Sequence, residues 1–250
     1  MVHVHDTPYA GSSAADALKM GIKVGLVANS DGHDGHPGHA MCHKASHHPD
    51  MYPFLSWTPR YGHPYPGGLT GAWVKEYDRK GVMQAIRERR VLGTRAPFRP
   101  IIDFSINGLH VGESDSTLSV PSKNTVRNIK IDIIRDGLEI GWDGSADEGG
   151  WEDLTVEIWK NSKLWETIKV TGPLDSITRK DGETITGTAY DNYYQDENGD
   201  YHMNERTLLE VEDPTSLNTE GQDYYYVRAF SGEGTKSDFY SWIGPIWVDP

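Results

Sequence analysis

Apolar residues are spaced differently on the two sides of residue 100. In the N-terminal region, residues 12–20 predict a short helix that a serine caps and Gly21 ends, because these residue types favour the two ends of helices. Residues 22–28 form an apolar run of strand length. Residues 79–90 predict a second helix, with Asp78 as its cap. The N-terminal region therefore mixes helices with strands.

After residue 100 the apolar residues recur at every second position, as in Ile102, Phe104 and Ile106. The dipeptide Asn107-Gly108 then signals a turn. The same alternation, or an apolar run of strand length, recurs in residues 129–133, 154–158, 164–170, 209–211, 224–230 and 246–248. About seven short strands with turns between them predict an antiparallel β-sandwich. We therefore expect an α+β chain with two domains, residues 1–100 and residues 101–250.

The charged residues follow the same division. The chain of 250 residues has a net charge of −13, but residues 1–100 contain 12 basic and 8 acidic side chains, whereas residues 101–250 contain 12 basic and 29 acidic ones. A surface this acidic repels phosphate backbones, so we expect no nucleic-acid partner. No run of about 18 apolar residues is present, so we also expect no membrane partner.

The single cysteine, Cys42, excludes an intramolecular disulfide and a metal site built from several thiolates. The first residues lack the basic and apolar regions of a signal peptide. Because a chain poor in cysteine is tolerated both inside and outside the cytoplasm, the sequence leaves the compartment undetermined.

Histidine is concentrated in the N-terminal region, where nine of the eleven histidines lie in residues 1–63. The most informative pattern is Asp31-Gly32-His33, which follows the predicted strand 22–28 in a loop rich in glycine and proline. In α/β folds, ligands are held at the carboxyl ends of strands. A carboxylate and an imidazole there are suitable ligands for zinc, manganese or iron. The alternative is a solvated turn that carries histidine by chance.

Two ligands do not complete such a site, because catalytic zinc normally has three protein ligands. His36 and His39 lie close to the pattern and could bind metal or support the residues that do. His63 is a further candidate, since it precedes the Gly67–Trp73 segment that we expect to return to the same side. His3 and His5 have the spacing of two ligands at a strand end, and chance in a histidine-rich region is the alternative.

The stretch Gly21–Gly38, which contains Ser30-Asp31-Gly32-His33-Asp34-Gly35, resembles the last metal-ligand motif of the polymerase and histidinol phosphatase (PHP) metallohydrolases. More narrowly, it is similar to the carbaryl-hydrolase-like branch of that family. The likeness continues in residues 67–73, 85–90, 103–108, 225–228 and 244–249. It covers residues 20–110 well. Val91-Leu92-Gly93-Thr94 departs from the string that the family has after its arginine-rich helix.

The resemblance implies the C-terminal portion of a distorted α/β (PHP-type) barrel, followed by the antiparallel β-sandwich. It implies that Asp31 and His33 bind divalent metal ions, which activate water for the hydrolysis of a small-molecule ester or phosphoester. Most of the family's barrel, with its early His-x-His motif, has no counterpart upstream of residue 20. His3-Val4-His5 has the form of that motif, but the remnant of an earlier barrel strand is the alternative. We therefore expect a fragment of a longer hydrolase.

The rival hypothesis is a non-catalytic β-sandwich that serves as a binding or interaction module and carries a vestigial metal-binding arm. It draws its support from the missing part of the barrel. An incomplete barrel would also expose strand edges and apolar faces, so the sequence favours self-association through the barrel portion.

Overall fold

The computed structural model of the chain describes residues 11, 13–29, 68–94, 100–136, 153–171, 177–178, 184–185, 188–195, 201–218, 221–231 and 240–250. Its strands, in chain order, are β1 Leu69–Ala72, β2 Val91–Thr94, β3 Ile101–Ile106, β4 Leu109–His110, β5 Thr117–Ser119, β6 Arg127–Asp136, β7 Asp153–Lys160, β8 Lys163–Thr171, β9 Ile177–Thr178, β10 Thr184–Ile185, β11 Thr188–Gln195, β12 Tyr201–Asp213, β13 Asp223–Ser231 and β14 Tyr240–Asp249. A 3₁₀ turn, Glu113–Ser116, precedes β5.

The two α-helices of the described residues are short. Helix α1 spans Ala14–Lys19, and Ser13 and Asp16 form a capping box in which the serine hydroxyl accepts from the Asp16 amide at 3.1 Å. Helix α2 spans Arg79–Arg87, and the Asp78 carboxylate accepts from the Gly81 amide at its start. Both predicted helices are therefore confirmed, although α2 ends before the predicted residue 90.

The strands form two large sheets and one small one. A seven-stranded sheet has the order β1-β2-β14-β13-β7-β8, and β5 pairs with β14 beside β2. A five-stranded sheet has the order β11-β12-β6-β3-β4, and β9 pairs with β10. All of these pairs are antiparallel except that of β5 with β14. The described fold is thus built mainly from antiparallel β-sheets with few helices, as the alternation after residue 100 predicts.

One hydrophobic cluster draws on both large sheets. The five-stranded sheet contributes Ile102, Phe104, Ile106, Ile129, Ile131, Ile133, Leu209 and Val211, and the seven-stranded sheet contributes Leu154, Val156, Ile158, Ile168, Tyr225, Val227, Ala229, Ile243, Ile246 and Val248. In β3, β6, β7 and β13 the cluster residues alternate along the strand, because successive side chains of a strand point to opposite faces. The predicted alternating residues of 102–106, 129–133, 154–158 and 209–211 are therefore core, whereas Leu164 of the predicted 164–170 alternation is 41% exposed.

The other face of the seven-stranded sheet carries aromatic rings. Tyr224, Tyr226, Trp242 and Trp247 form a second buried cluster with Leu18 and Leu26. We call these four rings the aromatic face. Leu18 of α1 and Leu26 of the following residues pack against it, with Ala14 and Val24 partly buried beside them.

The seven-stranded sheet includes strands from both sides of residue 100. Strand β2 pairs with β14 through Thr94 and Ser241, Gly93 and Trp242, and Leu92 and Ile243. The division into domains 1–100 and 101–250 stays a prediction, but any such boundary has to cross this pairing. No helix in the described part of the chain is long and apolar enough to cross a membrane.

Candidate metal centre

Residues 21–29 connect the end of α1 to the Asp31-Gly32-His33 pattern. Gly21 has φ +79°, a conformation that glycine adopts at low cost and that ends the helix as predicted. Residues 22–29 then run without regular secondary structure, so the strand predicted over 22–28 is wrong. The burial of Leu26 and Ala28, with Val27 between them exposed, produces the strand-like pattern. That pattern reflects packing on the aromatic face rather than pairing with a neighbouring strand.

At its far end, this segment is held in a narrow slot. Ala28 is 4% exposed and lies against β1 and β2. A Cβ atom added to Gly93 would come within 2.9 Å of the Ala28 amide nitrogen, and one added to Gly68 would come within 2.8 Å of the Ala28 Cβ. The slot therefore exists because glycine at both positions lets the backbones approach closely. We call Gly68, Thr70, Gly93 and Ala28 the glycine slot.

The glycine slot also brings the two flanks of residues 30–67 together. An added Cβ on Gly68 would lie 2.8 Å from the Asn29 carbonyl oxygen, so residue 29 and residue 68 are in direct contact. The chain therefore leaves the described structure and returns to it at the same place. Asp31 follows this place by two residues, and His63 precedes it by five.

The predicted metal ligands themselves lie outside the described residues. This applies to Asp31 and His33 and to the further candidates His3, His5, His36, His39 and His63. Within the described part of the chain, no group of three or more histidine, cysteine, aspartate or glutamate side chains could hold a metal ion. The predicted donor set lies in residues 1–10 and 30–67, whose carboxylates and imidazoles suit zinc, manganese or iron.

Cations lie on the aromatic face next to the segment. The Lys23 ammonium lies 5.1 Å from the centre of the Trp247 ring and 2.8 Å from the Thr117 hydroxyl. The Arg89 guanidinium lies 5.5 Å from the same ring and pairs with Asp115. Both are cation–π contacts, in which the ring face attracts the positive charge, and they help to fix residues 22–29 on the sheet.

A buried ion network, which the sequence did not reveal, joins the two large sheets. Arg127 and Asp213 are 0% exposed, and a guanidinium nitrogen of Arg127 lies 3.0 Å from a carboxylate oxygen of Asp213. Lys160 donates to Asp213 at 2.9 Å and the Tyr225 hydroxyl donates at 2.8 Å, while the Thr215 amide and hydroxyl donate at 2.8 and 2.6 Å. Arg127 and Asp213 belong to the five-stranded sheet, and Lys160 and Tyr225 belong to the seven-stranded sheet.

The pKa values in this network follow from its hydrogen bonds. Burial by itself would raise the pKa of Asp213, but the hydrogen bonds from Thr215 and Lys160 outweigh it and lower the pKa to about 2. Burial, and then the neighbouring Asp213 carboxylate, raise the pKa of Tyr225 above its usual value. Asp213 therefore stays ionised and Tyr225 stays protonated at neutral pH. Because these groups are already hydrogen-bonded, the network stabilises the fold rather than offering a reactive group.

Three consecutive tyrosines of β13 lie in the interior. Tyr224, Tyr225 and Tyr226 are 8%, 0% and 0% exposed. The Tyr226 ring stacks on Trp159 with centroids 6.1 Å apart and planes inclined by 5°. These three residues are therefore packing residues. Arg228 extends the stack with two hydrogen bonds to Glu157, at 2.7 and 2.9 Å, and its guanidinium lies 4.6 Å from the Phe230 ring centre.

Neither protein-family models nor curated proteins give a match to this sequence. The resemblance to PHP metallohydrolases therefore depends on the residues that carry it.

Proposed function

We propose that this chain is part of a metal-dependent hydrolase that cleaves a small ester or phosphoester. In this proposal Asp31 and His33 bind a zinc, manganese or iron ion, and further ligands come from His3, His5, His36, His39 and His63. A bound divalent ion would polarise the substrate and lower the pKa of a bound water to about 7. The excess of basic over acidic side chains in residues 1–100 suits an anionic substrate.

The observation that carries the proposal is the contact between Asn29 and Gly68 in the glycine slot. A chain reaches at most about 3.6 Å per residue, so the Cα of Asp31 is restricted to about 7 Å from that of Asn29. The same limit keeps His33 within about 14 Å of Asn29 and His63 within about 18 Å of Gly68. All three candidates are thus tethered to one fixed point of the sheet, as a shared metal site requires.

The finer architecture belongs to the same proposal. We propose that residues 1–100 form the C-terminal portion of a distorted α/β barrel and that residues 101–250 form a β-sandwich. The cluster shared by the two large sheets supports the sandwich. On this proposal, the remaining barrel strands and ligands are supplied by sequence upstream, or by a second copy of the chain through self-association.

The test is a calorimetric titration with zinc and with manganese. We expect weak binding, because an incomplete ligand set loses much of the free energy that a closed site supplies. His33→Ala should remove most of this binding, and His47→Ala, a matched control in the same segment outside the candidate set, should remove little. Hydrolysis of phosphoesters or carboxylic esters should be absent or very slow in the isolated chain, since its metal would be neither positioned nor sheltered.

Two results would change this proposal. Tight binding with fast turnover would mean that the site is complete and that His3, His5, His36 and His39 are direct ligands. No binding of either metal would refute the proposal for this chain. An in-frame upstream coding sequence of about 250 residues with a His-x-His motif would support the longer enzyme directly.

The second candidate function is a non-catalytic binding or interaction module with a vestigial metal-binding arm. The buried network of Arg127 and Asp213 favours it, because this network and the shared hydrophobic cluster join the two large sheets through described residues. This candidate predicts that saturating zinc leaves the unfolding midpoint unchanged, whereas a ligand that binds the native state raises it.

A further inference from the structure

We infer that Thr70 is a positioning residue whose hydroxyl fixes the point at which the chain leaves the sheet toward Asp31. The effect on metal binding depends on the proposed function, whereas the clamp on Ala28 does not. Thr70 lies on β1, the strand at one end of the seven-stranded sheet. Its partner, Ala28, is 42 residues earlier in the chain.

One hydroxyl makes both contacts with the Ala28 backbone. The Thr70 hydroxyl donates to the Ala28 carbonyl oxygen at 2.6 Å, and it accepts from the Ala28 amide at 3.2 Å. A hydroxyl can donate and accept at the same time, which an aliphatic side chain of the same size cannot. Thr70 thus does for Ala28 what a neighbouring strand does for a residue of a sheet.

These contacts matter because the backbone of residues 23–27 has no comparable support, although the Lys23 side chain donates to the Thr117 hydroxyl at 2.8 Å. Among the described residues, Lys23–Val27 makes no backbone hydrogen bond with any strand. The side chains of Leu26 and Val24 pack on the aromatic face, but apolar packing is not directional and does not fix the register along the chain. The Thr70 hydroxyl supplies a directional contact at the last buried residue of the segment.

The glycines of the slot make this contact specific. With Gly93 and Gly68 approaching Ala28 from two sides, a shift of the chain by one residue would bring the larger Val27 side chain into the slot. The slot therefore selects Ala28, and the hydroxyl holds it. Asn29 and the Asp31-Gly32-His33 pattern then begin from a defined position.

The test compares Thr70→Val, which keeps the shape and removes the hydroxyl, with Thr70→Ser, which keeps the hydroxyl. Hydrogen exchange of the amides of residues 26–33 and zinc affinity by chelator competition are measured in the full chain. Thr70→Val should speed exchange at Ala28 by about tenfold and weaken zinc binding by about tenfold, because tenfold corresponds to about 1.4 kcal/mol, which is within the net contribution of a hydrogen bond. Thr70→Ser should restore both values.

Unchanged exchange at Ala28 in Thr70→Val would overturn the inference, and so would faster exchange with unchanged zinc affinity. If the wild-type chain binds no zinc, the proposed function fails and exchange alone decides. In that case, faster exchange in Thr70→Val that extends from Ala28 to residues 30–33 supports the positioning role. Faster exchange confined to Ala28 overturns it.

Discussion

Replacing Asp213 by asparagine should reveal how much the buried ion network contributes to stability. The substitution keeps the size of the side chain and removes the charge that Arg127 and Lys160 share. Arg127 would keep its hydrogen bonds to the Thr125 and Thr215 carbonyl oxygens, but its charge would be buried without a counter-ion. Removing one partner of a buried ion pair costs about 3–5 kcal/mol. Because Lys160 also pairs with Asp223, we expect the lower value, about 3 kcal/mol.

The pH dependence gives a second, independent magnitude. The pKa of Asp213 is lowered from 3.8 to about 2, so its ionisation stabilises the folded state above the pKa of the unfolded chain. At 1.36 kcal/mol per pKa unit, this linkage is about 2 kcal/mol at neutral pH. It is lost as the pH falls from about 4 to about 2, and about 1 kcal/mol is already lost at pH 3.

Urea unfolding followed by tryptophan fluorescence at pH 7, 5 and 3 measures both effects. Many other carboxylates titrate in this range, so the quantity to compare is the difference between wild type and Asp213→Asn. That difference should shrink by about 1 kcal/mol between pH 5 and pH 3. Glu212→Gln is the matched control, because Glu212 is the preceding residue of β12 and is exposed. A constant difference between wild type and Asp213→Asn from pH 5 to pH 3 would refute the reasoning.

Three further predictions concern other parts of the molecule. Glu157→Gln should lower the free energy of unfolding by about 2 kcal/mol, because it removes the partner of the largely buried Arg228. Glu210→Gln should change it by less than about 0.5 kcal/mol, because the Lys130–Glu210 pair is exposed. Equal effects of the two substitutions in chemical denaturation would contradict this prediction. Residues 101–250 expressed alone should unfold cooperatively but at lower urea concentration than the full chain, because β14 loses β2 and the aromatic face loses Leu18 and Leu26. A non-cooperative transition would mean that the folding unit needs residues before residue 101. Zinc binding should fade as the pH falls below about 6.5, because histidine binds metal only in its neutral form; calorimetry that shows the same affinity at pH 5.5 and pH 7.5 would exclude histidine ligands.

Local signals in the sequence predict the β-structure well, because each signal acts within a few residues. Ile102, Phe104 and Ile106 alternate and are all buried. Asn107 and Gly108 form the predicted turn with φ of 49° and 81°. Asn161 and Ser162 form another, with φ of 51° and 57° between β7 and β8. Turn chemistry and period-two burial are properties of a strand and its immediate neighbour.

The features that the sequence does not predict depend on contacts between distant residues. The apolar run 22–28 has strand-like spacing, but a strand also needs a partner backbone, and the chain supplies an aromatic face and one hydroxyl instead. Arg127 and Asp213 look like solvated charges at strand ends until the sheet aligns them as direct partners in the register of β6 and β12. The Gly67–Trp73 segment is conspicuous in the sequence, yet the role of Thr70 depends on Ala28.

The candidate site divides in the same way. Its chemistry, a carboxylate and an imidazole in Asp31-Gly32-His33, can be recognised from residue type and spacing alone, and it stays a prediction. The glycine slot beside that pattern could not be recognised, because Gly68, which precedes β1, and Gly93 of β2 are far from Ala28 in the sequence.

The central place of β14 in the seven-stranded sheet imposes an order on folding during synthesis. This strand, Tyr240–Asp249, pairs with β13, β2 and β5, and Trp242 and Trp247 are half of the aromatic face. A ribosome makes it after every other described strand. Until then, β2 and β13 have no neighbour on that side, and Leu18 and Leu26 lack two of the rings on which they pack. A growing chain of this protein therefore exposes apolar surface for most of its synthesis, and such surface is what chaperones bind and what aggregation begins from.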